Sequence, residues 1–114
     1  MDVPSPQPDT PHLADVVPAV LAAMGVTGAQ RDGVHRPIDL PGDVRGACVL
    51  LIDGLGAQLL DTYADDAPVL AGLRNRNLRV GYPATTAAGL AAVGTGRRSG
   101  EHGMVGYSFR IPDH

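Results

Sequence analysis

With 114 residues, 44% of them hydrophobic, and a formal net charge of -3, the chain reads as one globular unit, too short for two ordinary domains. Its nine basic residues are all Arg and form no run, which disfavours nucleic acid as a structural partner, since no basic track is present to follow a phosphate backbone. A lone cysteine, Cys48, excludes an internal disulfide, and no apolar run approaches the roughly 20 residues of a membrane span.

Prolines at positions 4, 6, 8 and 11, with polar residues between them, predict a disordered, proline-rich lead-in over residues 1–14. Nothing in the first thirty residues resembles a signal peptide, the first basic residue being Arg31, so the expected compartment is the cytoplasm and no membrane partner is expected. Asp15 reads as the N-cap of a first helix, with Pro18 tolerated in its opening turn and Val17, Val20, Leu21 and Met24 forming an apolar stripe before Gly25. Residues 26–45 read as loop; Asp32, His35 and Asp39 are scattered through them without the spacing of metal ligands.

Residues 48–52, a short and partly β-branched apolar run between Gly46 and Gly54, predict a strand buried on both faces, with Cys48 a small core residue. Asp53 then stands at the carboxyl end of that strand, where open α/β sheets bind ligands, so it is either a metal ligand or catalytic carboxylate or simply a cap for the next helix. Leu55, Leu59, Leu60 and Tyr63 recur at helical spacing, and Asp65-Asp66 ahead of Pro68 marks a restart into a short helix ending at Leu73. Leu78, Val80 and Tyr82 alternate with Arg79 and Gly81 up to Pro83, which predicts a second strand and hence a parallel, right-handed βαβ unit. A last strand is expected over residues 107–111.

Thr85 and Thr86 open an alanine-rich helical stretch that Gly96 can end. A hydroxyl there can cap the helix, or it can act as a nucleophile where free amides and the helix dipole favour a phosphate or sulfate group. The second role needs a base or a metal, because an unaided threonine is too weak an acid at neutral pH. Asp53 emerges on the same expected sheet edge and could hold that metal.

Ile52-Asp53-Gly54, Tyr82-Pro83-Ala84-Thr85-Thr86, Thr95-Gly96 and Glu101-His102-Gly103-Met104, in that order, resemble the amino-terminal third of the nucleotide pyrophosphatase and type I phosphodiesterase family of the alkaline phosphatase superfamily. The resemblance implies an α/β, alkaline phosphatase-like fold with a parallel sheet flanked by helices, incomplete here, residues 15–114 forming the N-terminal part of the catalytic domain. It also implies two divalent metal ions, zinc in that family. Asp53 would be a ligand of one, and Thr86, the third residue after the aromatic-proline pair, would be the catalytic nucleophile and contact the same metal. The implied reaction is hydrolysis of a phosphodiester or pyrophosphate bond in a nucleotide-type small molecule through a phosphothreonine intermediate. His102 corresponds to a turn element of the family rather than to a zinc ligand.

The chain departs from the family where many members carry Phe-Pro-Asn-His after the nucleophile, for here Ala87-Ala88-Gly89-Leu90 follows. The Asn of that motif contacts a phosphate oxygen, and losing one such donor typically costs on the order of 3 kcal/mol of transition-state stabilisation. The family's other zinc ligands lie beyond the position of His114, so the 114 residues are expected to be a fragment that is inactive alone. Alternative readings are a non-catalytic fragment, or another metal-dependent phosphatase or phosphomutase branch of the superfamily; the lack of a Cys-x-Pro-x-Arg stretch argues against the sulfatase branch. Gly54-Leu55-Gly56 is similar to a dinucleotide-binding turn, but the place of its third glycine is taken by Leu59.

Overall fold

The computed structural model describes residues 10–28, 38–107 and 111. His12 opens the first helical turn. Its Nδ1 accepts the Ala14 N–H at 3.0 Å, and its own backbone N–H donates to Asp15 Oδ2 at 2.7 Å. This reciprocal pair satisfies two amides that a helix start leaves open. It nucleates a 3-10 turn, Leu13–Asp15, which runs directly into helix α1, Val16–Ala23. Asp15 sits at the N-cap position of α1 but makes no side-chain cap bond to it, because its carboxylate is turned back onto His12. The lead-in expected over residues 1–14 is therefore corrected at its end: Pro11, His12 and Ala14 are buried, and residues 1–9 lie outside the described residues.

Helix α4, Thr86–Thr95, packs against this amino-terminal unit. The buried apolar residues between them are Ala14, Ala19, Ala88 and Ala92, so the core is a thin alanine seam. Small side chains let two helix backbones approach closely, which is why the expected stripe of α1 is not its buried face. Leu21 and Met24 stay 36% and 41% exposed. Helices α2, Ala57–Thr62, and α3, Pro68–Leu73, form a second pair, with Pro68 in the first turn as the sequence predicts. Arg74, just past α3, clasps Asp61 of α2 and also donates to Asn77 Oδ1 at 2.8 Å. A short helix that the sequence reading did not anticipate, α5, Ser99–His102, ends on Gly103 at φ +76°.

No strand ladder forms among the described residues; one isolated parallel bridge joins His12 to Arg79. Residues 48–52, expected as a buried strand, pair with nothing there, and Leu50 is 78% exposed. A strand buried on both faces needs a neighbour on each edge and a layer on each side, and none of the described elements supplies them. Cys48, expected in the core, is exposed for the same reason. Residues 108–110 of the expected last strand lie outside the described residues.

Candidate active site

Asp53 and Gly54 form a turn, with Gly54 at φ +73°, after which the chain enters α2. The N-cap position of α2 is Gly56, without a side-chain cap bond, so Asp53 does not cap that helix. Its carboxylate instead faces the start of α4. Thr86 Oγ1 donates to Asp53 at 3.2 Å from Oδ2 and 3.4 Å from Oδ1. Both distances exceed the usual 2.7–2.8 Å or so of a hydroxyl-to-oxygen bond, so the hydroxyl straddles the carboxylate rather than committing to one oxygen.

The two adjacent threonines have different tasks. Thr85 is the N-cap: its backbone is extended at φ -119° and ψ 148°, and its hydroxyl oxygen accepts the Ala88 N–H at 3.3 Å. Thr86 is the first helical residue, so its side chain is released from capping and turns toward Asp53. The N–H groups of Thr86 and Ala87 open the helix, where no carbonyl four residues back exists inside α4 to receive them. That end also carries the positive end of the helix dipole. A carboxylate, the hydroxyl that donates to it and the two opening amides of α4 thus meet at one edge.

A metal ion is compatible with this pair. Two oxygen ligands of one tetrahedral zinc, at bonds of about 2.0–2.2 Å, stand about 3.3–3.6 Å apart. The Thr86 hydroxyl and Asp53 carboxylate oxygens, at 3.2 and 3.4 Å, have nearly that separation. The structure does not assemble three or more His, Cys, Asp or Glu side chains as a metal site among the described residues. Asp39 is exposed, and Asp32 and His35 lie outside the described residues.

A family model described as type I phosphodiesterase / nucleotide pyrophosphatase matches residues 47–114, more than half of the chain. The chain belongs to the type I phosphodiesterase / nucleotide pyrophosphatase family. That family is one of phosphodiesterase- or pyrophosphatase-type hydrolases. Neither the curated proteins nor the solved structures contain a match. Asp53 and Thr86 both fall inside the matched region, whereas His12 and the whole of α1 precede it.

His102, in the matched region, accepts the Met104 N–H on Nδ1 at 3.0 Å, an arrangement that closes the turn after α5. Its Nε2 is buried and has no hydrogen-bond partner among the described residues. At Gly89, in the first turn of α4, a Cβ would lie 3.7 Å from Leu13 Cδ2. The sequence reading missed His12, assigning it to a lead-in without a role. The signal available was His12-x-x-Asp15, a capping-box spacing with imidazole in place of the usual hydroxyl. Among the described residues no helix is long and apolar enough to cross a membrane.

Proposed function

We propose that the chain carries the nucleophile side of a metal-dependent site that hydrolyses phosphodiester or pyrophosphate bonds in a small nucleotide-type substrate. The carrying observation is the approach of the Thr86 hydroxyl to the Asp53 carboxylate at the open start of α4, with Thr85 occupied as the cap. Thr86 is the nucleophile and Asp53 a metal ligand, two divalent ions, zinc by preference, completing the site with further ligands from residues outside this chain. A bound zinc lowers the pKa of a coordinated hydroxyl and offsets developing oxygen charge. The protein's own contribution is positional. Asp53 holds Oγ1 at the helix edge, and the Thr86 and Ala87 amides are aimed at the anionic group that would sit there. Attack forms a bond from Thr86 Oγ1 to phosphorus and breaks the bond to the leaving oxygen, and water then hydrolyses the phosphothreonine. The surrounding architecture in this reading is an alkaline phosphatase-like α/β fold.

The test is a chromogenic nucleotide phosphodiester assayed in the complete catalytic domain, with and without chelator. Thr86→Ala abolishes cleavage, Thr85→Ala leaves substantial activity, and Asp53→Asn loses activity together with zinc, a neutral amide being a far poorer ligand. Full zinc-dependent turnover in Thr86→Ala with a dead Thr85→Ala would move the nucleophile by one residue. Turnover in both would sink the covalent mechanism. The 114 residues assayed alone should show no turnover.

A further inference from the structure

The segment spanning residues 10–23 lies ahead of the family match, yet it grips the chain on both sides of Thr86. On the approach side, Arg79, seven residues before Thr86, is held by three hydrogen bonds. Its N–H donates to Pro11 O at 2.8 Å, its carbonyl accepts the Leu13 N–H at 2.8 Å, and its Nε donates to Thr10 O at 3.0 Å. On the departure side, Leu13 Cδ2 lies against Gly89, three residues after Thr86, and the Pro18 ring lies under Gly96 at the far end of α4. Pro18 comes so close that a Cβ at position 96 would sit 2.9 Å from its Cγ.

We propose that residues 10–23 are a brace that positions Thr86, and that His12 is the positioning residue that sets the brace. The segment fixes the connection from Arg79 to α4 at its start and the helix at its first and last turns, so the hydroxyl is aimed by elements outside the matched region. His12 is central because it holds the 3-10 turn closed through Ala14 and Asp15 while also sharing the bridge to Arg79. The functional weight of this inference rests on the reading of Thr86 as nucleophile; its structural content does not.

The test uses the full chain and compares His12→Ala with His12→Asn. Asn Oδ1 stands where Nδ1 does and can accept the same Ala14 amide, whereas Ala cannot. Amide hydrogen exchange is read at residues 13–15, at residues 87–90 of α4, and at residues 69–73 of α3, which packs on α2 and not on the brace. In His12→Ala, exchange should accelerate about fivefold at both the 3-10 turn and the first turn of α4, the factor that loss of a typical cap corresponds to. It should stay unchanged in α3, and His12→Asn should restore it. Acceleration confined to the 3-10 turn overturns the proposal, as does equal acceleration in α3, which would mark a general loss of stability. If His12→Ala does not yield a folded chain, Leu13→Val, which withdraws only the group against Gly89, carries the same contrast with the same two outcomes. Zinc titration of each variant adds a readout tied to the site: weaker binding in His12→Ala with recovery in His12→Asn supports positioning, and equal affinities in the two overturn it. Asp53 and Thr86 are only part of the proposed metal site, so if the parent chain binds no zinc the exchange contrast alone decides the brace, and turnover of Thr86→Ala in the complete catalytic domain decides the nucleophile separately.

Discussion

Two alanine substitutions on α4 and its cap should have opposite signs. Gly94→Ala meets nothing within 4 Å, so it gains about 1 kcal/mol from helix propensity alone. Gly96→Ala, two residues on, meets two penalties. Gly96 adopts φ +63°, the left-handed conformation that closes α4, and an L side chain there costs roughly 1–2 kcal/mol. The new Cβ would also lie 2.9 Å from Pro18 Cγ, and a proline ring has no rotamer by which to swing away, so α1 must move off α4. Overpacking of that kind costs about 1–3 kcal/mol, which puts Gly96→Ala near 3 kcal/mol destabilising and about 4 kcal/mol apart from Gly94→Ala. A chain of this size exposes little surface on unfolding and should have a urea m-value of about 1–1.5 kcal/mol/M, so the two midpoints should differ by about 3 M. Urea titration followed by far-ultraviolet circular dichroism reads this directly. Equal midpoints for the two variants would refute the close approach of Pro18 and the brace built on it.

The remaining predictions concern the cap, pH and the apolar surface. Thr85→Ala removes the acceptor for the Ala88 N–H and should cost about 1 kcal/mol in the same urea titration, whereas Thr86→Ala should leave the midpoint nearly unchanged because Thr86 does no capping. Burial first, and then the nearby Arg98 and Arg79 charges, hold the His12 imidazole below its ordinary value near 6.5, with Asp15 opposing them. The unfolded chain therefore binds the proton more readily, so this contribution to stability is present in full above about pH 6.5 and is lost as pH falls through the lower folded value. The midpoint should drop between pH 7.5 and 5.5 or so more in the parent than in His12→Asn, and equal drops would discount His12. Leu50, Val69, Leu73 and Tyr82 are each at least 73% exposed, so the chain should bind a hydrophobic dye and self-associate with rising concentration. Leu50→Ser, at a position 78% exposed, should reduce both without lowering the urea midpoint.

The helices were legible in the sequence wherever their punctuation was local. Pro68 at the start of α3, Gly96 at the end of α4 and the Thr85-Thr86 pair at its beginning carry their meaning within a few residues, and the structure uses each of them as read. The expected strands depend on partners far away in sequence, and neither residues 48–52 nor residues 78–82 form a ladder among the described residues. The burial of α1 was misread for a related reason. Apolar periodicity selects Val17, Val20, Leu21 and Met24, but what selects the buried face is how closely α4 approaches, and an alanine seam with Gly89 and Gly96 opposite favours small residues over large ones.

Asp53 and Thr86, which the sequence sets 33 residues apart, come within 3.2 Å of each other, and the division of labour between Thr85 and Thr86 follows from helix geometry. The N-cap residue must keep an extended backbone so that its hydroxyl can reach back to the third helical amide, and the residue after it must already be helical. Only one of two neighbouring threonines can satisfy the first condition. Once Thr85 caps through Ala88, the hydroxyl of Thr86 is left to project from the edge of α4, and the turn at Asp53-Gly54 delivers a carboxylate to meet it. The same geometry explains why exchanging the two roles is not a small change. For Thr85 to take the place of Thr86 opposite Asp53, the whole helix would have to slide by one residue, which would shift Gly89 from Leu13 and Gly96 from Pro18 together. The register of the hydroxyl is thus tied to contacts at both ends of a ten-residue helix, and not to the identity of one residue at its start.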